Sequence, residues 1–191
     1  MPKNIQFIKS AVLAKDYPIH GKAEVAIAGR SNAGKSSFIN ALAKGKVAKV
    51  SSTPGKTRLL NFFDMEESYV LVDMPGYGFA ARSGDEMVEW HKMIETYLMG
   101  REQLCGLLLI MDIRRSWTAD EELLKKFSDQ RGFPLAVVLT KADKMSRNQM
   151  LQAVSKIKKV SGLSAVFPVS ALKKEGQDAV EDYIYDNWVK A

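Results

Sequence analysis

Residues 29–36 read Gly29-Arg30-Ser31-Asn32-Ala33-Gly34-Lys35-Ser36, which matches the pattern of a phosphate-binding loop. An apolar run at residues 23–28 precedes it and predicts a buried strand, and a helical pattern follows at residues 36–43. In this order, the backbone N–H groups and the helix N-terminus surround bound phosphates. Lys35 would reach the β and γ phosphates of a nucleotide, and Ser36 would ligate Mg²⁺. A chance glycine-rich turn is the alternative, and the flanking strand and helix disfavour it.

Outward from this loop, short aliphatic runs alternate with longer amphipathic stretches, which is typical of a mostly parallel sheet with helices on both faces. Strands are predicted at residues 23–28, 59–64, 69–73, 107–112, 135–140 and 165–169. Helices are predicted at 36–43, 85–99, 119–129, 148–160 and 176–188. Residues 59–73 predict a hairpin, which supplies the one antiparallel strand. We therefore expect a three-layer α/β domain at residues 23–191 with a six-stranded sheet. Residues 1–22 are expected to be an extension packed on it, either as an edge strand or locally.

Composition limits the possible classes of protein. The chain of 191 residues is 46% hydrophobic and 26% charged, which suits one globular domain without disorder or fibrous structure. Its longest apolar run is far shorter than the roughly 20 residues that cross a bilayer, so we expect a cytoplasmic protein without a membrane segment. The lone Cys105 excludes an intrachain disulfide and predicts a buried, inert thiol. A net charge of +6 favours polyanions such as RNA, although solubility alone could explain it.

A second motif, Asp73-Met74-Pro75-Gly76, ends the second strand of the hairpin. There the carboxylate of Asp73 can hold Mg²⁺ through water, and the Gly76 N–H can meet the γ-phosphate. Alone, such a tetrapeptide is more often a turn that closes a strand. The phosphate-binding loop earlier in the chain favours the metal-binding interpretation.

A third motif, Thr140-Lys141-Ala142-Asp143, follows another buried strand and indicates which base is bound. The Asp143 carboxylate can accept both N–H groups of the Watson–Crick edge of guanine, a pair that adenine lacks. The stem of Lys141 would lie over the base, while Thr140 stands where this motif usually has asparagine. Backbone groups of the last strand-to-helix loop, Val169, Ser170 and Ala171, are expected to contact the guanine oxygen.

Taken together, the motifs resemble the EngB family of bacterial ribosome-assembly GTPases, also called YihA or YsxC, within the TrmE-Era-EngA-YihA-Septin-like class. The resemblance rests on GRSNAGKSS at residues 29–37, SSTPGKTR at 51–58, LNFF at 60–63, DMPGYG at 73–78 and TKAD at 140–143, and it covers residue 5 to the C-terminus. It implies a Ras-like fold and a GTP-binding protein that hydrolyses GTP slowly. Its implied role is a nucleotide-dependent switch in assembly of the large ribosomal subunit, with an associated link to cell division and septum formation.

The resemblance also assigns roles in the first switch. Thr57 is expected to close over the γ-phosphate and complete the Mg²⁺ shell with Ser36, with Thr53 as the rival candidate. We expect catalysis by positioning and electrostatics from Lys35, Thr57 and Asp73, without a general base. The residues that would line the nucleotide in this segment are Gly55, Lys56, Thr57, Arg58 and Leu59.

Hydrolysis is expected to be slow, because Tyr77 occupies the position at which Ras-type enzymes have a water-orienting glutamine. The unassisted rate would be at or below about 10⁻⁴ per second, with a ribosomal partner or a cation as accelerator. Related GTPases with asparagine at the position of Asn32 can use it to bind K⁺ near the phosphates. The alternative for Asn32 is that it only stabilises the turn.

The expected partner is a precursor of the large ribosomal subunit, with its rRNA and ribosomal proteins, and the chain is expected to be a monomer. Basic residues offer phosphate contacts in two clusters, one beside the first switch and one late in the chain. They are Lys44, Lys46, Lys49, Lys56 and Arg58, and Lys156, Lys158 and Lys159. One alternative is an RNA-binding assembly scaffold whose nucleotide site is mainly structural. Another is a nucleotide kinase or ATPase, which Asp143 disfavours.

Overall fold

The computed structural model of the protein describes residues 5–45, 47, 59–66, 68–78 and 84–190. Several residues of the predicted first switch and its basic cluster lie outside these ranges. They are Lys46, Lys49, Thr53, Gly55, Lys56, Thr57 and Arg58.

One sheet of seven strands organises the molecule, in the order β1-β3-β4-β2-β5-β6-β7. The strands are β1 Ile5–Ala11, β2 Glu24–Gly29, β3 Leu60–Met65, β4 Tyr69–Asp73, β5 Leu104–Asp112, β6 Leu135–Thr140 and β7 Val166–Pro168. The α-helices are α1 Lys35–Leu42, α2 Gly84–Gly100, α3 Ala119–Arg131, α4 Arg147–Ser161 and α5 Gln177–Ile184. Short 3₁₀ turns occupy Ala14–Asp16 and Ala142–Lys144, and a π-helical turn, Tyr185–Val189, extends α5.

The predicted α/β fold with a mostly parallel sheet is confirmed, but the sheet has seven strands where six were predicted. The additional strand is β1, which pairs antiparallel with β3 at the edge of the sheet. Ser10 Oγ donates to Asn61 Oδ1 at 2.6 Å, and the Phe7 ring meets the Phe63 ring edge-on at 5.6 Å. These cross-strand contacts, which depend on residues about fifty positions apart, decide between an edge strand and local packing. β3 runs antiparallel to β4, as the hairpin predicted, and it is also antiparallel to β1.

Both faces of the sheet are buried, as expected for strands covered by helices on each side. Alternate residues of β2 and β5 point to opposite faces. Ala26 and Leu109 belong to one core cluster with helices α2, α3 and α4, whereas Ile27 and Ile110 belong to the other with α1 and α5. Each large apolar side chain buried in this way contributes about 1.5–3 kcal/mol. Trp90 and Trp188 are buried core residues, as their helical context indicated.

The parallel strands end at a common edge, and this edge carries the motifs. β2, β4, β5 and β6 end at Gly29, Asp73, Asp112 and Thr140. Ligands of open α/β sheets bind at the carboxyl ends of the strands. Within the described ranges, no helix is both long and apolar enough to span a membrane.

Candidate nucleotide-binding site

The phosphate-binding loop joins β2 to α1, as the sequence predicted. Asn32 and Gly34 adopt left-handed backbone conformations, with φ of 64° and 91°. A Cβ on Gly34 would also lie 3.3 Å from Thr140 Oγ1, so both the conformation and the space favour glycine here. Ala33 N donates to Arg30 O at 3.0 Å, and Phe38 N donates to Gly34 O at 2.9 Å. The chain therefore curls through residues 30–34 and leaves Lys35 as the first residue of α1.

Lys35 and Asp73 meet at the phosphate end of the site. The Lys35 ammonium forms an ion pair with Asp73 Oδ1, and both side chains are largely buried. Ser36 follows on the first turn of α1 and is half-buried. The structure thus brings together three of the residues to which the sequence assigned phosphate and metal contacts.

A hydroxyl and a carboxylate are suitable oxygen donors for Mg²⁺, which keeps several waters and takes its remaining ligands from substrate phosphates. Ser36 and Asp73 fit this requirement. No cluster of three or more His, Cys, Asp or Glu side chains able to hold a metal occurs among the residues that the structure describes. A phosphate-bound Mg²⁺ does not need such a cluster, because one or two protein ligands suffice.

The segment that follows β4, residues 74–77, lies alongside the phosphate-binding loop. Met74 N donates to Ile27 O at 2.9 Å, Ser31 N donates to Tyr77 O at 2.9 Å, and Tyr77 N donates to Gly29 O at 3.3 Å. A Cβ on Gly76 would lie 3.2 Å from Ser31 Oγ. The Pro75 carbonyl accepts from the Trp90 indole N–H at 3.0 Å. Residues 74–77 therefore run directly beside the loop that is expected to hold the phosphates.

The Tyr77 side chain packs against helices α2 and α3. It is 3% exposed, its ring lies 5.9 Å from that of Trp90, and its hydroxyl donates to Glu121 Oε1 at 2.9 Å. Burial, reinforced by the Glu121 carboxylate, raises the pKa of Tyr77 far above its ordinary value, so the phenol remains protonated. The phenol is thus engaged with α3 in a contact that the sequence motif did not indicate.

Thr140 and Lys141 contact the backbone of the phosphate-binding loop. The Thr140 hydroxyl donates to the carbonyl oxygen of Ala33 and also lies 3.0 Å from Met111 O. Lys141 adopts a left-handed φ of 58°, and its ammonium donates to Asn32 O at 3.0 Å. Two consecutive residues of the third motif therefore hold the backbone of the phosphate-binding loop.

Asp143 lies beside the last strand-to-helix loop, as predicted. Its Oδ1 accepts from Ser170 Oγ at 2.7 Å, and this hydrogen bond holds the pKa of Asp143 below its ordinary value. Ala142 N donates to Val169 O at 3.1 Å, which ties the two loops together, and Ala171 follows directly. The predicted base-reading residues 140–143 and 169–171 are thus neighbours.

Sequence reasoning did not identify Asp112, which ends β5. Arg114 binds both of its carboxylate oxygens, with Nε at 2.9 Å and Nη2 at 2.6 Å, and the Lys141 ammonium lies 2.9 Å away. The Arg114 hydrogen bonds are the main cause that lowers the pKa of Asp112 well below its ordinary range. The position at the carboxyl end of a parallel strand was the signal that could have found it.

Of the predicted first-switch residues, Leu59 is described, and it lies half exposed just before β3. Lys44 is exposed just after α1, and Lys158 and Lys159 are exposed in the last turn of α4. Cys105 is half-buried, and burial raises the pKa of its thiol to about 11. An unreactive thiol was predicted, and this pKa agrees with it.

A family model and a bacterial relative both match more than half of this chain. The family model described as 50S ribosome-binding GTPase matches residues 24–141. A protein of Bdellovibrio bacteriovorus described as "Probable GTP-binding protein EngB" is 85% identical over 190 residues, which cover 100% of this chain and 95% of that protein.

Solved structures agree on the fold. The crystal structure of a protein described as a probable GTP-binding protein engB superposes with a TM-score of 0.71 at 21% identity, covering 86% of this chain and 97% of that one. Era in complex with MgGDPNP and nucleotides 1506–1542 of 16S ribosomal RNA superposes with a TM-score of 0.68 at 29% identity, covering 88% of this chain and 58% of that one.

Proposed function

Because the chain belongs to the EngB family of GTP-binding GTPases, we propose that it uses slow GTP hydrolysis as a switch in assembly of the large ribosomal subunit. One observation carries the proposal. The Lys35–Asp73 pair and the Asp143–Ser170 pair stand at the two ends of one site, and Thr140 and Lys141 join the ends through hydrogen bonds to Ala33 O and Asn32 O.

Guanine selectivity is assigned to Asp143. A carboxylate that remains ionised accepts the two N–H groups of the guanine edge, and Ser170 supports the ionised form by donating to Oδ1. Adenine presents a single amino donor next to an acceptor nitrogen, so it repels one of the two oxygens. The Lys141 stem is proposed to cover the base, and the backbone of Val169, Ser170 and Ala171 to meet the guanine oxygen.

Phosphate and metal contacts are assigned to the other end. Gly29 to Ser36 are proposed to surround the phosphates with backbone N–H groups, and Lys35 to leave Asp73 and bind the β and γ phosphates. Ser36 and Thr57 are proposed as Mg²⁺ ligands, with Asp73 acting through water. When bound, Mg²⁺ neutralises phosphate charge. Met74, Pro75 and Gly76 are proposed to line the nucleotide as well. Gly76 lies beside Ser31, which supports a γ-phosphate contact from the Gly76 N–H.

Slow turnover is expected because residue 77 is a tyrosine and not a water-orienting glutamine, and its hydroxyl already donates to Glu121. Lys35, Thr57 and Asp73 would then act by positioning and charge alone. We further propose that K⁺ binds near Asn32 and raises the rate. Equal hydrolysis rates in K⁺ and Na⁺ at matched ionic strength would argue against K⁺ and leave Asn32 as a turn residue.

The ribosomal partner is proposed from the family and from charge. The matching family model is described as ribosome-binding, and the net charge of +6 favours RNA. We propose a cytoplasmic monomer that binds a large-subunit precursor, with any effect on cell division and septation following from failed assembly. The second candidate is an RNA-binding assembly scaffold with a mainly structural nucleotide site. The Lys35–Asp73 pair disfavours it, because a purely structural site does not need these two charges.

Equilibrium binding of fluorescent GTP, GDP and ATP tests the central assignment. We expect guanine nucleotides to bind with Mg²⁺ and ATP to compete poorly. Asp143→Asn should lose GTP but gain xanthosine triphosphate, because an amide donor matches the carbonyl that xanthine carries in place of the guanine amino group. Adding Lys35→Ala should weaken the binding of GTP to the otherwise native chain and of xanthosine triphosphate to the Asp143→Asn variant. Equal ATP binding, or an Asp143→Asn variant without the change of base, would overturn the assignment.

The switch is tested by co-sedimentation with large ribosomal subunits in the presence of a non-hydrolysable GTP analogue or GDP. We expect tighter binding with the analogue. Equal binding in both states and in the Lys35→Ala variant would favour the scaffold.

A further inference from the structure

A cavity of about 350 Å³ lies beside the nucleotide-binding elements. The outer side of the phosphate-binding loop, the end of β5 and the first turn of α3 form its walls. Four cationic side chains line it, Arg30, Arg114, Arg115 and Lys141, against two carboxylates, Asp112 and Glu121. Its volume lies within the range of about 300–1,000 Å³ that is typical of ligand sites.

Both carboxylates are already neutralised or hydrogen-bonded within the wall. Asp112 is bound by Arg114 through two hydrogen bonds and by Lys141 at 2.9 Å. Glu121 is 1% exposed and accepts from Thr118 N at 2.8 Å and from the Tyr77 hydroxyl at 2.9 Å. Neither carboxylate is therefore free to pair with another cation. Arg30 is paired with Asp120, at 3.4 Å between Nη1 and Oδ2, so the excess positive charge of the wall is that of Arg115.

Arg115 carries this excess. Its backbone N–H donates to Asp112 O at 2.8 Å, which fixes the turn after β5. Its guanidinium is exposed and has no hydrogen bond or ion pair within the described part of the chain. A guanidinium presents a planar fork of donors that matches phosphate oxygens. Arg114, whose side chain is 53% exposed, stands beside it.

The positive surface continues onto α4. The Lys156 ammonium lies 3.4 Å from Ser116 Oγ, so the residue after Arg115 touches the basic helix that the sequence analysis singled out. We call the surface formed by Arg30, Arg114, Arg115, Lys141 and Lys156 the basic cleft. Its cations come from four separate segments, namely the phosphate-binding loop, the β5–α3 turn, the segment after β6 and α4. They form one patch only in the folded chain.

We propose that the basic cleft binds the backbone phosphates of rRNA in the large ribosomal subunit. The inference rests on the proposed function, which supplies the ribosomal partner. Cations spread from the cavity to α4 suit a chain of phosphates better than one free anion, because each neutralised phosphate of a polyanion adds to the affinity by counterion release. Lys141 lines the cleft and also holds Asn32 O, so RNA binding is linked to the nucleotide site, and each ligand must affect the affinity of the other equally.

The test compares two charge reversals of the full chain, Arg115→Glu and Lys190→Glu. Lys190 lies two residues after Trp188. Trp188 packs on Gly106 near the opposite end of β5, roughly 20 Å along the strand from Asp112. This distance exceeds the screening length of about 8 Å at physiological salt. The control therefore makes the same change of net charge outside the influence of the cleft.

Binding to purified large ribosomal subunits is measured across a salt series, together with the affinity for GDP. Arg115→Glu should weaken subunit binding by about tenfold or more and reduce the salt slope by about one or more. Lys190→Glu should change the affinity by less than about twofold. The affinity for GDP alone should be the same in both variants, because the Arg115 side chain makes no hydrogen bond or ion pair with the described residues of the predicted base and phosphate sites.

These measurements distinguish failure of the basic-cleft proposal from failure of the proposed ribosomal partner. Wild-type binding by Arg115→Glu, or equal weakening by both variants, overturns the basic cleft and leaves the ribosomal partner standing. Absence of binding by the native chain overturns the ribosomal partner and the cleft together.

Photocrosslinking shows whether the molecule bound in the basic cleft is RNA or protein. A photoreactive amino acid in place of the exposed Ser116 should label rRNA in the bound subunit. Labelling of ribosomal protein alone would overturn the assignment to RNA phosphates.

Discussion

The Thr140 hydroxyl donates a hydrogen bond to the carbonyl oxygen of Ala33, and this bond joins the predicted base-reading motif, residues 140–143, to the phosphate-binding loop. The same hydroxyl lies 3.0 Å from Met111 O, at the end of the neighbouring strand β5. Thr140 stands where the motif usually carries asparagine, and a short hydroxyl suffices because Gly34 lets the loop approach. A Cβ on Gly34 would lie 3.3 Å from this oxygen.

We expect Thr140→Val to lower the free energy of unfolding by about 1–3 kcal/mol, because it leaves the buried Ala33 carbonyl with one donor fewer at nearly constant volume. The affinity for GDP should fall as well, since the phosphate-binding loop loses an anchor. Denaturant unfolding and fluorescent-nucleotide binding measure the two effects. Thr140→Ser keeps the hydroxyl and is the control. A valine variant as stable and as tight-binding as the serine variant would contradict the prediction.

Removal of the Tyr77 hydroxyl should affect stability and leave basal hydrolysis unchanged. Tyr77→Phe loses the hydrogen bond to Glu121, and we expect unfolding to become easier by about 1–2 kcal/mol. The basal GTPase rate should stay within about twofold, because the hydroxyl is engaged with α3. Single-turnover hydrolysis and chemical denaturation check this. Tyr185→Phe, at an exposed tyrosine, is the matched control. A large loss of rate in Tyr77→Phe would assign the hydroxyl to catalysis.

The ion pair between Asp112 and Arg114 should make part of the stability depend on acid pH. The folded-state pKa of Asp112 lies below its unfolded value of about 3.9. The unfolded state therefore binds the proton first, and the contribution is fully present above pH of about 4 and is lost as pH falls through the folded pKa. Arg114→Gln should raise the pKa of Asp112 and reduce this acid-dependent loss.

Carboxyl NMR titration and unfolding at several acid pH values check the prediction. Arg115→Gln is the control, because the Arg115 side chain does not contact Asp112. An equal pKa of Asp112 in both variants would show that Arg114 is not the cause of the lowered value.

Gly106 should not tolerate a side chain. A Cβ there would lie 2.4 Å from Trp188 Cε3, and the indole is buried against the sheet. We expect Gly106→Ala to destabilise the fold by about 1–3 kcal/mol through overpacking. Gly100→Ala is the control, since a Cβ at Gly100 meets nothing within 4 Å. Thermal unfolding compares the two, and equal stability would mean that Trp188 shifts without cost.

Local sequence patterns were sufficient to predict the strand-loop-helix unit around residues 29–36, the hairpin and the order of the motifs. These features depend on residues close together in the chain, where glycine conformation and hydrophobic periodicity are sufficient information. The strands 69–73 and 135–140 were predicted with the bounds that the structure has. The location of the motifs at one edge of the sheet followed from the rule that ligands bind at the carboxyl ends of parallel strands. The Lys35–Asp73 ion pair and the Asp143–Ser170 hydrogen bond at that edge were not predicted.

Contacts between segments far apart in the chain could be identified only in the folded molecule. Whether residues 5–11 formed a strand depended on side chains of β3 about fifty residues away. The engagement of Tyr77 with Glu121 and the ties from Thr140 and Lys141 to the phosphate-binding loop join segments separated by 44 to 109 positions. Arg30, Arg115 and Lys156 likewise converge only because α3 and α4 pack beside β5 and β6. Local patterns carry no information on such contacts, because the directions of side chains from separate elements are fixed only when those elements pack.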